Sequence, residues 1–176
     1  MINVKTKGAS AEREIINLFV GTLVLIENDL KQQGYNVPTH SDKIQRNSLQ
    51  FAKGGADLHG LPYISVEIKR QETLNINTWW NQCEEQAQRT RTIPVLIYKQ
   101  SRKEWKVISW VKLSDGGTPE VAQWVRAEYS FKSFIAWYKN MYIKFLLIEC
   151  ENNRAFKERP VVSGKRITKK SIDKPV

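Results

Sequence analysis

A long helical repeat near the N-terminus is the strongest pattern in the sequence. Between residues 10 and 33, apolar side chains recur at steps of three and four: Ile16, Phe19, Leu23, Ile26 and Leu30. This is the period of an α-helix with one apolar face. Gly34 follows, and glycine commonly ends helices because it accepts the left-handed conformation without strain. We therefore expect a long first helix with one buried face.

Strand patterns and a second helix come next. Strands are predicted at residues 35–40, 56–59, 63–70, 93–99 and 105–113, and a helix at residues 77–91. The polar segment 41–55 is predicted to be a loop or an irregular hairpin. A turn signal at residues 60–62 suits an antiparallel hairpin between the second and third strands. This order predicts an α/β fold with a mixed sheet flanked by helices.

The chain is expected to contain three parts. Residues 1–113 form a core domain, residues 114–153 a helical extension packed on it, and residues 154–176 a basic tail. Within the extension, helices are predicted at residues 121–127 and 131–148, which are rich in aromatic residues. The tail has eight basic residues against two acidic ones, so it is expected to stay disordered until it meets a phosphate backbone.

The charge balance favours a polyanionic partner. The 28 Lys and Arg residues outnumber the 18 Asp and Glu residues, which gives a net charge of +10. Nucleic acid is the first expectation and an anionic membrane surface the second. The longest apolar run, residues 18–26, is shorter than the roughly 20 residues of a membrane span, and a secretory signal pattern is missing. We therefore expect a cytoplasmic protein with no membrane insertion.

The cysteines and histidines give no indication of zinc. Cys83 and Cys150, with His40 and His59, lack zinc-ligand spacing, so a reducing compartment and no structural zinc are predicted. His59 lies next to a turn and has no partner in the sequence, and we expect it to be structural or exposed.

A carboxylate and an ammonium alternate along the predicted strand 63–70. Side chains two residues apart share a face, so Glu67 and Lys69 point one way while Val66 and Ile68 point into the core. An isolated pair of this kind is most often an exposed ion pair. The triplet of Glu67, Ile68 and Lys69 therefore needs support from other residues.

Asp57 supplies the first support, because the turn at residues 60–62 returns it to about the level of Val66 or Glu67. Magnesium prefers one or two carboxylates, with water and phosphate oxygens as the other ligands. Asp57 and Glu67 match that partial set. Lys69 could orient or help deprotonate the attacking water, or stabilise charge developing on a phosphate, and the sequence leaves these roles open.

Glu12 supplies the second support for the triplet. It lies on the same stripe as the apolar residues of the first helix, so a carboxylate occupies one end of a buried face. A buried charge needs a partner or a metal ion. The alternative is favourable placement near the positive end of the helix dipole.

Three segments together resemble the PD-(D/E)xK nuclease superfamily, in particular the Holliday-junction resolvases of archaea and phages. They are residues 7–14, with the sequence Lys-Gly-Ala-Ser-Ala-Glu-Arg-Glu, then residues 55–57 and 67–69. The resemblance covers about residues 5–112. It implies an αβββαβ restriction-endonuclease-like core, dependence on Mg²⁺ with Mn²⁺ as a substitute, cleavage of DNA phosphodiesters to leave 5′-phosphates, and a homodimer.

By that resemblance, Glu12 is the acid of the first helix, Asp57 and Glu67 are metal ligands, and Lys69 is the motif lysine. We include Glu12 among the metal ligands. Ala56 stands immediately before the motif acid, where many members have proline.

The helix at 77–91 is similar to a glutamine-bearing helix of phage-type members. Gln82 and Gln86 are four residues apart, so either could reach the site, and Gln86 is included among the catalytic residues. The alternative is that both are ordinary exposed residues. Trp79 and Trp80, on the same helix, are predicted to be core or dimer-contact residues.

Four basic residues near the motif acids are predicted to contact DNA phosphates: Arg13, Arg46, Lys53 and Arg70. The plainer alternative is that these side chains are simply solvated.

The sequence therefore predicts a magnesium-dependent DNA endonuclease, most similar to a phage resolvase that acts on branched DNA as a homodimer. One alternative is a site-specific restriction or homing endonuclease of the same fold. The other is a basic DNA-binding protein that does not cut.

Overall fold

The computed structural model describes residues 4–47, 55–113 and 123–157. Within these ranges the elements, in chain order, are α1 (Val4–Gln32), a short 3-10 helix (Ser41–Lys43), β1 (Gln45–Arg46), β2 (Leu58–His59), β3 (Ile64–Arg70), α2 (Ile76–Thr90), β4 (Ile93–Lys99), β5 (Lys106–Leu113), β6 (Gln123–Ser130) and α3 (Phe131–Lys157).

The main sheet is mixed, as predicted. Its four strands lie in the order β3-β4-β5-β6, with β3 and β4 parallel and the other neighbours antiparallel. Parallel neighbours need a crossover connection, and α2 provides it. Strands β1 and β2 form a separate two-stranded antiparallel ribbon.

Helices cover both faces of the main sheet. On one face, α1 and α3 pack over the inward side chains of β3 and β4, and Phe19 of α1 meets Phe134 and Tyr138 of α3 edge-on. On the other face, α2 buries Trp79 and Trp80 against β4 and β5. Both tryptophans are therefore core residues. The α/β architecture with flanking helices and a C-terminal helix is confirmed.

Three of the predicted elements were wrong in type or partner. Residues 35–40 form no strand. Residues 123–130 form a strand rather than a helix, because half-buried side chains alternate with exposed ones along eight residues paired with β5. Strand β2, which was predicted to form a hairpin with β3, pairs with β1 instead. Most of the basic tail, residues 158–176, and Lys53 lie outside the described residues.

A buried carboxylate binds the end of the segment 35–40. Glu27, on α1, is 2% exposed and accepts hydrogen bonds from the backbone N–H groups of His40 and Ser41, at 2.8 and 2.9 Å. It also accepts from the Tyr142 hydroxyl of α3 at 2.5 Å. Burial by itself raises the pKa of Glu27, but the hydrogen bonds from Tyr142 and Ser41 outweigh it and lower the pKa. The N–H groups of His40 and Ser41 therefore bond to Glu27 rather than to a neighbouring strand.

Candidate active site

Backbone and side-chain hydrogen bonds hold Asp57 against β3. Its N–H donates to the carbonyl of Val66 at 2.8 Å, and its Oδ2 accepts from the N–H of Ile68 at 2.6 Å. The N–H of Asn47 in turn donates to the Asp57 carbonyl at 2.8 Å. Asp57 thus returns to the level of Val66, as predicted from the turn.

Gly60 allows the chain to make this return. Its φ is +87°, and a Cβ atom there would lie 2.4 Å from the carbonyl oxygen of Lys43. Any other residue would collide with this backbone. The glycine therefore fixes how closely the loop before β3 approaches the 3-10 helix.

Glu67 is a buried carboxylate with few interactions that offset the cost of burying its charge. It is 1% exposed, and among the described residues neither side-chain oxygen has a partner with hydrogen-bonding geometry. The Lys69 ammonium does contact Oε1 as an ion pair, and the Lys69 side chain is 21% exposed. A buried charge with unsatisfied oxygens is costly unless a cation completes its surroundings.

Asp57 and Glu67 repel each other electrostatically. Burial is the largest cause that raises the pKa of Asp57, to about 7, and the charge of Glu67 is the second. Glu12 raises it further, while the Ile68 N–H and Lys69 oppose the shift. The three predicted acids and the lysine therefore act on one another within one site.

Glu12 projects from α1 and is 8% exposed. Its Oε2 accepts a hydrogen bond from Nε of Arg46 on β1. The Arg46 side chain remains 43% exposed, so it faces both the carboxylate and solvent. The pair links α1 to the β1–β2 ribbon, whose strand β2 begins directly after Asp57, and sequence reasoning missed it because the partners are 34 residues apart.

The structure separates the two candidate glutamines. Gln86 is 7% exposed on the inner face of α2, and its buried Oε1 has no hydrogen-bond partner in the part of the chain that the structure describes. Gln82 is exposed. Of the two, Gln86 is the one that faces the protein interior beneath α2.

Two of the other predicted phosphate contacts are next in sequence to site residues, Arg13 to Glu12 and Arg70 to Lys69. Arg13 is exposed, and its Nε donates to the carbonyl of Ala9 at 3.1 Å. Arg70 contacts Glu14 at 3.7 Å, and its buried Nε has no hydrogen-bond partner within the described ranges. His59 is exposed, in agreement with the prediction.

Sequence reasoning missed Glu14 as a structural anchor. It accepts hydrogen bonds from Lys99 at 2.8 Å and from the Trp105 indole at 2.7 Å. Burial raises the pKa of Glu14, but these bonds outweigh burial and lower it. Glu14 lies beside the apolar stripe of α1, and no local pattern indicated its partners.

The donor set fits a hard divalent cation. Among residues 4–47, 55–113 and 123–157, no three His, Cys, Asp or Glu side chains come together as a metal-binding cluster. Magnesium needs only one or two carboxylates, because water and phosphate oxygens complete its octahedron. The unsatisfied oxygens of Glu67, together with Asp57, match that requirement.

A mixed sheet between helices, with an aspartate and an E-x-K triplet at its β3 edge, defines the PD-(D/E)xK class of nucleases. The family model described as "Phage putative PDDEXK endonuclease" matches residues 3–163, and the chain belongs to this family. No curated protein matches the chain. In the part of the chain that the structure describes, no helix has the length and hydropathy of a membrane span.

Proposed function

We propose that this chain is a Mg²⁺-dependent endonuclease that hydrolyses DNA phosphodiester bonds, with Mn²⁺ as a substitute, in the cytoplasm of the phage host. The observation that carries the proposal is the buried pair of Asp57 and Glu67, in which the Glu67 oxygens lack hydrogen-bond partners and Lys69 is adjacent. Two buried acids that share a single ammonium group carry excess negative charge, which destabilises a fold, so their presence is best explained by a metal ion and a reaction that needs it.

Each side chain of the site has a distinct task in this proposal. Asp57 is oriented by the N–H of Ile68, so it presents its carboxylate in a fixed direction. Glu67 provides its two unsatisfied oxygens. Magnesium, when bound, supplies positive charge that polarises the scissile phosphate and makes water more acidic. Lys69 stabilises the charge that develops on the phosphate, or orients or helps to deprotonate the attacking water.

Glu12 and Gln86 support the reacting groups. Glu12 raises the local negative potential and is positioned by Arg46, so we assign it to orienting water or a cation ligand. Gln86 has an unpaired buried carbonyl oxygen and can accept a hydrogen bond from a group that enters with the substrate.

DNA is held mainly by charge. The net charge of +10 attracts the backbone. Arg46 contacts Glu12, Arg13 follows Glu12 on α1, and Arg70 follows Lys69 on β3. We propose these three as phosphate contacts, together with Lys53, which lies outside the described residues. Phosphate contacts fix the orientation of the duplex without reading its sequence.

Branched DNA is the proposed substrate, and a homodimer the proposed active form. Both rest on the similarity to junction resolvases. A four-way junction has two equivalent strands to cut, and a twofold symmetric enzyme provides two equivalent sites. A restriction or homing enzyme would instead cut linear duplex at fixed sequences, and a pure DNA-binding protein would not cut at all.

A cleavage panel tests the proposal. Labelled four-way junctions, flaps, nicked duplex and linear duplex are incubated with Mg²⁺, Mn²⁺, Ca²⁺ or EDTA. We expect cleavage of the junction with Mg²⁺ and Mn²⁺, none with EDTA, and binding with little cutting in Ca²⁺, whose looser coordination fits the site less well. Sequence-specific cuts in linear duplex would favour the restriction alternative, and binding without cuts in any metal would favour the non-catalytic one.

A further inference from the structure

The outer edge of β6 is an unpaired strand edge. Strand β6 ends the order β3-β4-β5-β6, and within the described ranges no further strand pairs with it. Every second residue from Trp124 to Ser130 is exposed, including Arg126 and Glu128. Trp124 has 60% of its surface exposed. Such an edge is a template for pairing with another strand.

The ladder with β5 determines which backbone groups are free. The N–H of Phe131 donates to the carbonyl of Trp105 at 3.2 Å, one step beyond the pairing of Ser130 with Lys106. Hydrogen-bonded and non-bonded pairs alternate in an antiparallel ladder. The odd-numbered residues of β6 therefore bond to β5, and the even-numbered residues direct their N–H and C=O groups to the open edge.

We propose that a second copy of this chain pairs with β6 through this edge, antiparallel, about a twofold axis at Ala127. This deepens the dimer of the proposed function and rests on it. Each Arg126 then lies opposite the partner's Glu128, and each Trp124 lies opposite the partner's Ser130.

The charges on β6 select this register over its neighbours. An axis at Arg126 would put two guanidinium groups opposite each other, and an axis at Glu128 would put two carboxylates opposite each other. Like charges directly opposite destabilise a sheet, whereas opposite charges stabilise it. The axis at Ala127 makes the pairing of Arg126 with Glu128 twice.

The charged pair is available for this contact. Arg126 is exposed; among the described residues it bonds to Asn77, at 3.3 Å, and lies over the Trp80 ring. Glu128 binds Lys106 at 2.7 Å and the Tyr98 hydroxyl, and it stays exposed on the same side of the sheet. A guanidinium has five N–H donors, so Arg126 can serve a second acceptor.

The pairing also sets the distance between the two active sites. It would join two four-stranded sheets into one of eight, with β3 at each outer edge. Seven strand spacings of ~4.8 Å separate the two β3 strands by roughly 34 Å before the twist of the sheet is included. Both sites remain open, because neither β3 lies near the axis.

Cysteine crosslinking tests the register. Residues on the axis in a non-bonded pair have Cα atoms ~4.5 Å apart, which suits a disulfide. Ala127→Cys should therefore form a covalent dimer on oxidation. Val125→Cys is the matched control on the same strand, because it lies opposite the partner's Tyr129 and ~13 Å from its own copy. The native Cys83 and Cys150 are buried and give little background.

Charge reversal tests the same contact without a crosslink. Sedimentation of the full chain, without DNA or metal, should show a dimer. Arg126→Glu should weaken the dimer affinity at least tenfold. The double variant Arg126→Glu with Glu128→Arg should restore that affinity in part. Circular dichroism confirms that each variant is folded. A monomer at all concentrations, or equal crosslinking at positions 125 and 127, overturns the proposal. Either result leaves metal-dependent cleavage intact, since association is measured without DNA.

Discussion

Asp57 makes a pH-dependent contribution to stability in the metal-free protein. Its pKa is raised from 3.8 to about 7, so the folded state binds the proton more tightly than the unfolded chain. Stability therefore falls as the pH rises between these values, because the unfolded chain gives up its proton first. Asp57→Asn keeps an acceptor for Ile68 but removes the charge.

We expect Asp57→Asn to be more stable than the wild type at pH 8 in EDTA, by on the order of 1–3 kcal/mol, and the difference to shrink at pH 5. Thermal melts at the two pH values check this. Added Mg²⁺ should stabilise the wild type more than the variant. An equal melting temperature for both proteins at pH 8 would mean that the Asp57 carboxylate is not destabilised by its surroundings.

The two glutamines of α2 form a matched pair for a second test. Gln86 is buried with an unpaired oxygen, and Gln82 is exposed one turn earlier on the same helix. Gln86→Ala should lower the cleavage rate about 10- to 100-fold, as loss of an outer contact to a metal site does, while Gln82→Ala should leave it unchanged. Equal rates for the two variants would remove Gln86 from the site.

At the scale of elements, Glu27 ties α1 to the segment before β1 and to α3. Replacing Glu27 with Gln should cost about 2 kcal/mol at pH 7, since buried donors lose a charged acceptor. The folded-state pKa is lowered, so this contribution is present above the normal pKa and is lost as the pH falls through the lowered one. Urea unfolding at pH 7 and pH 3.5 measures it, with Glu151→Gln, an exposed site on α3, as the control.

The sequence correctly predicted the helices and strands whose apolar residues recur at a regular spacing. The helix at 77–91 and the strand at 93–99 were predicted to within one residue, because apolar spacing and burial agree there. The helix predicted at 121–127 was wrong, because strand β6 exposes Trp124 and pairs with β5 across an eight-residue ladder. In such a segment, pairing with a neighbouring strand outweighs the local preference for a helix.

The candidate site divides in the same way. The alternation in β3 and the turn at residues 60–62 were enough to bring Asp57 to Val66. Arg46 pairs with Glu12 across 34 positions of the sequence, and Lys99 pairs with Glu14 across 85. Only the folded structure shows these two contacts. Contacts between residues so far apart in the sequence produce no local spacing pattern from which they could be predicted.

At the scale of the whole molecule, the charge after α3 should govern DNA affinity. Residues 158–176 contain six basic residues and two acidic ones. Removing them should weaken binding and flatten the dependence of log K on log salt by ~0.9 for each lost phosphate contact. Fluorescence anisotropy at several salt concentrations measures the slope, and circular dichroism should show an unchanged fold. An unchanged slope would exclude this segment from binding.

The central claim is that Asp57, Glu67 and Lys69 form a metal-dependent cleavage site. The most direct measurement is single-turnover cleavage of a labelled four-way junction in Mg²⁺ by the wild type and by Asp57→Asn, Glu67→Gln and Lys69→Ala, with binding measured in parallel. Each variant, folded by circular dichroism, should cut at least about 100-fold more slowly, because it loses transition-state stabilisation. DNA binding should persist and even strengthen for the two acid variants, which lose negative charge near the phosphate. If Asp57→Asn and Glu67→Gln cut as fast as the wild type, the claim is contradicted and these acids are not the active site.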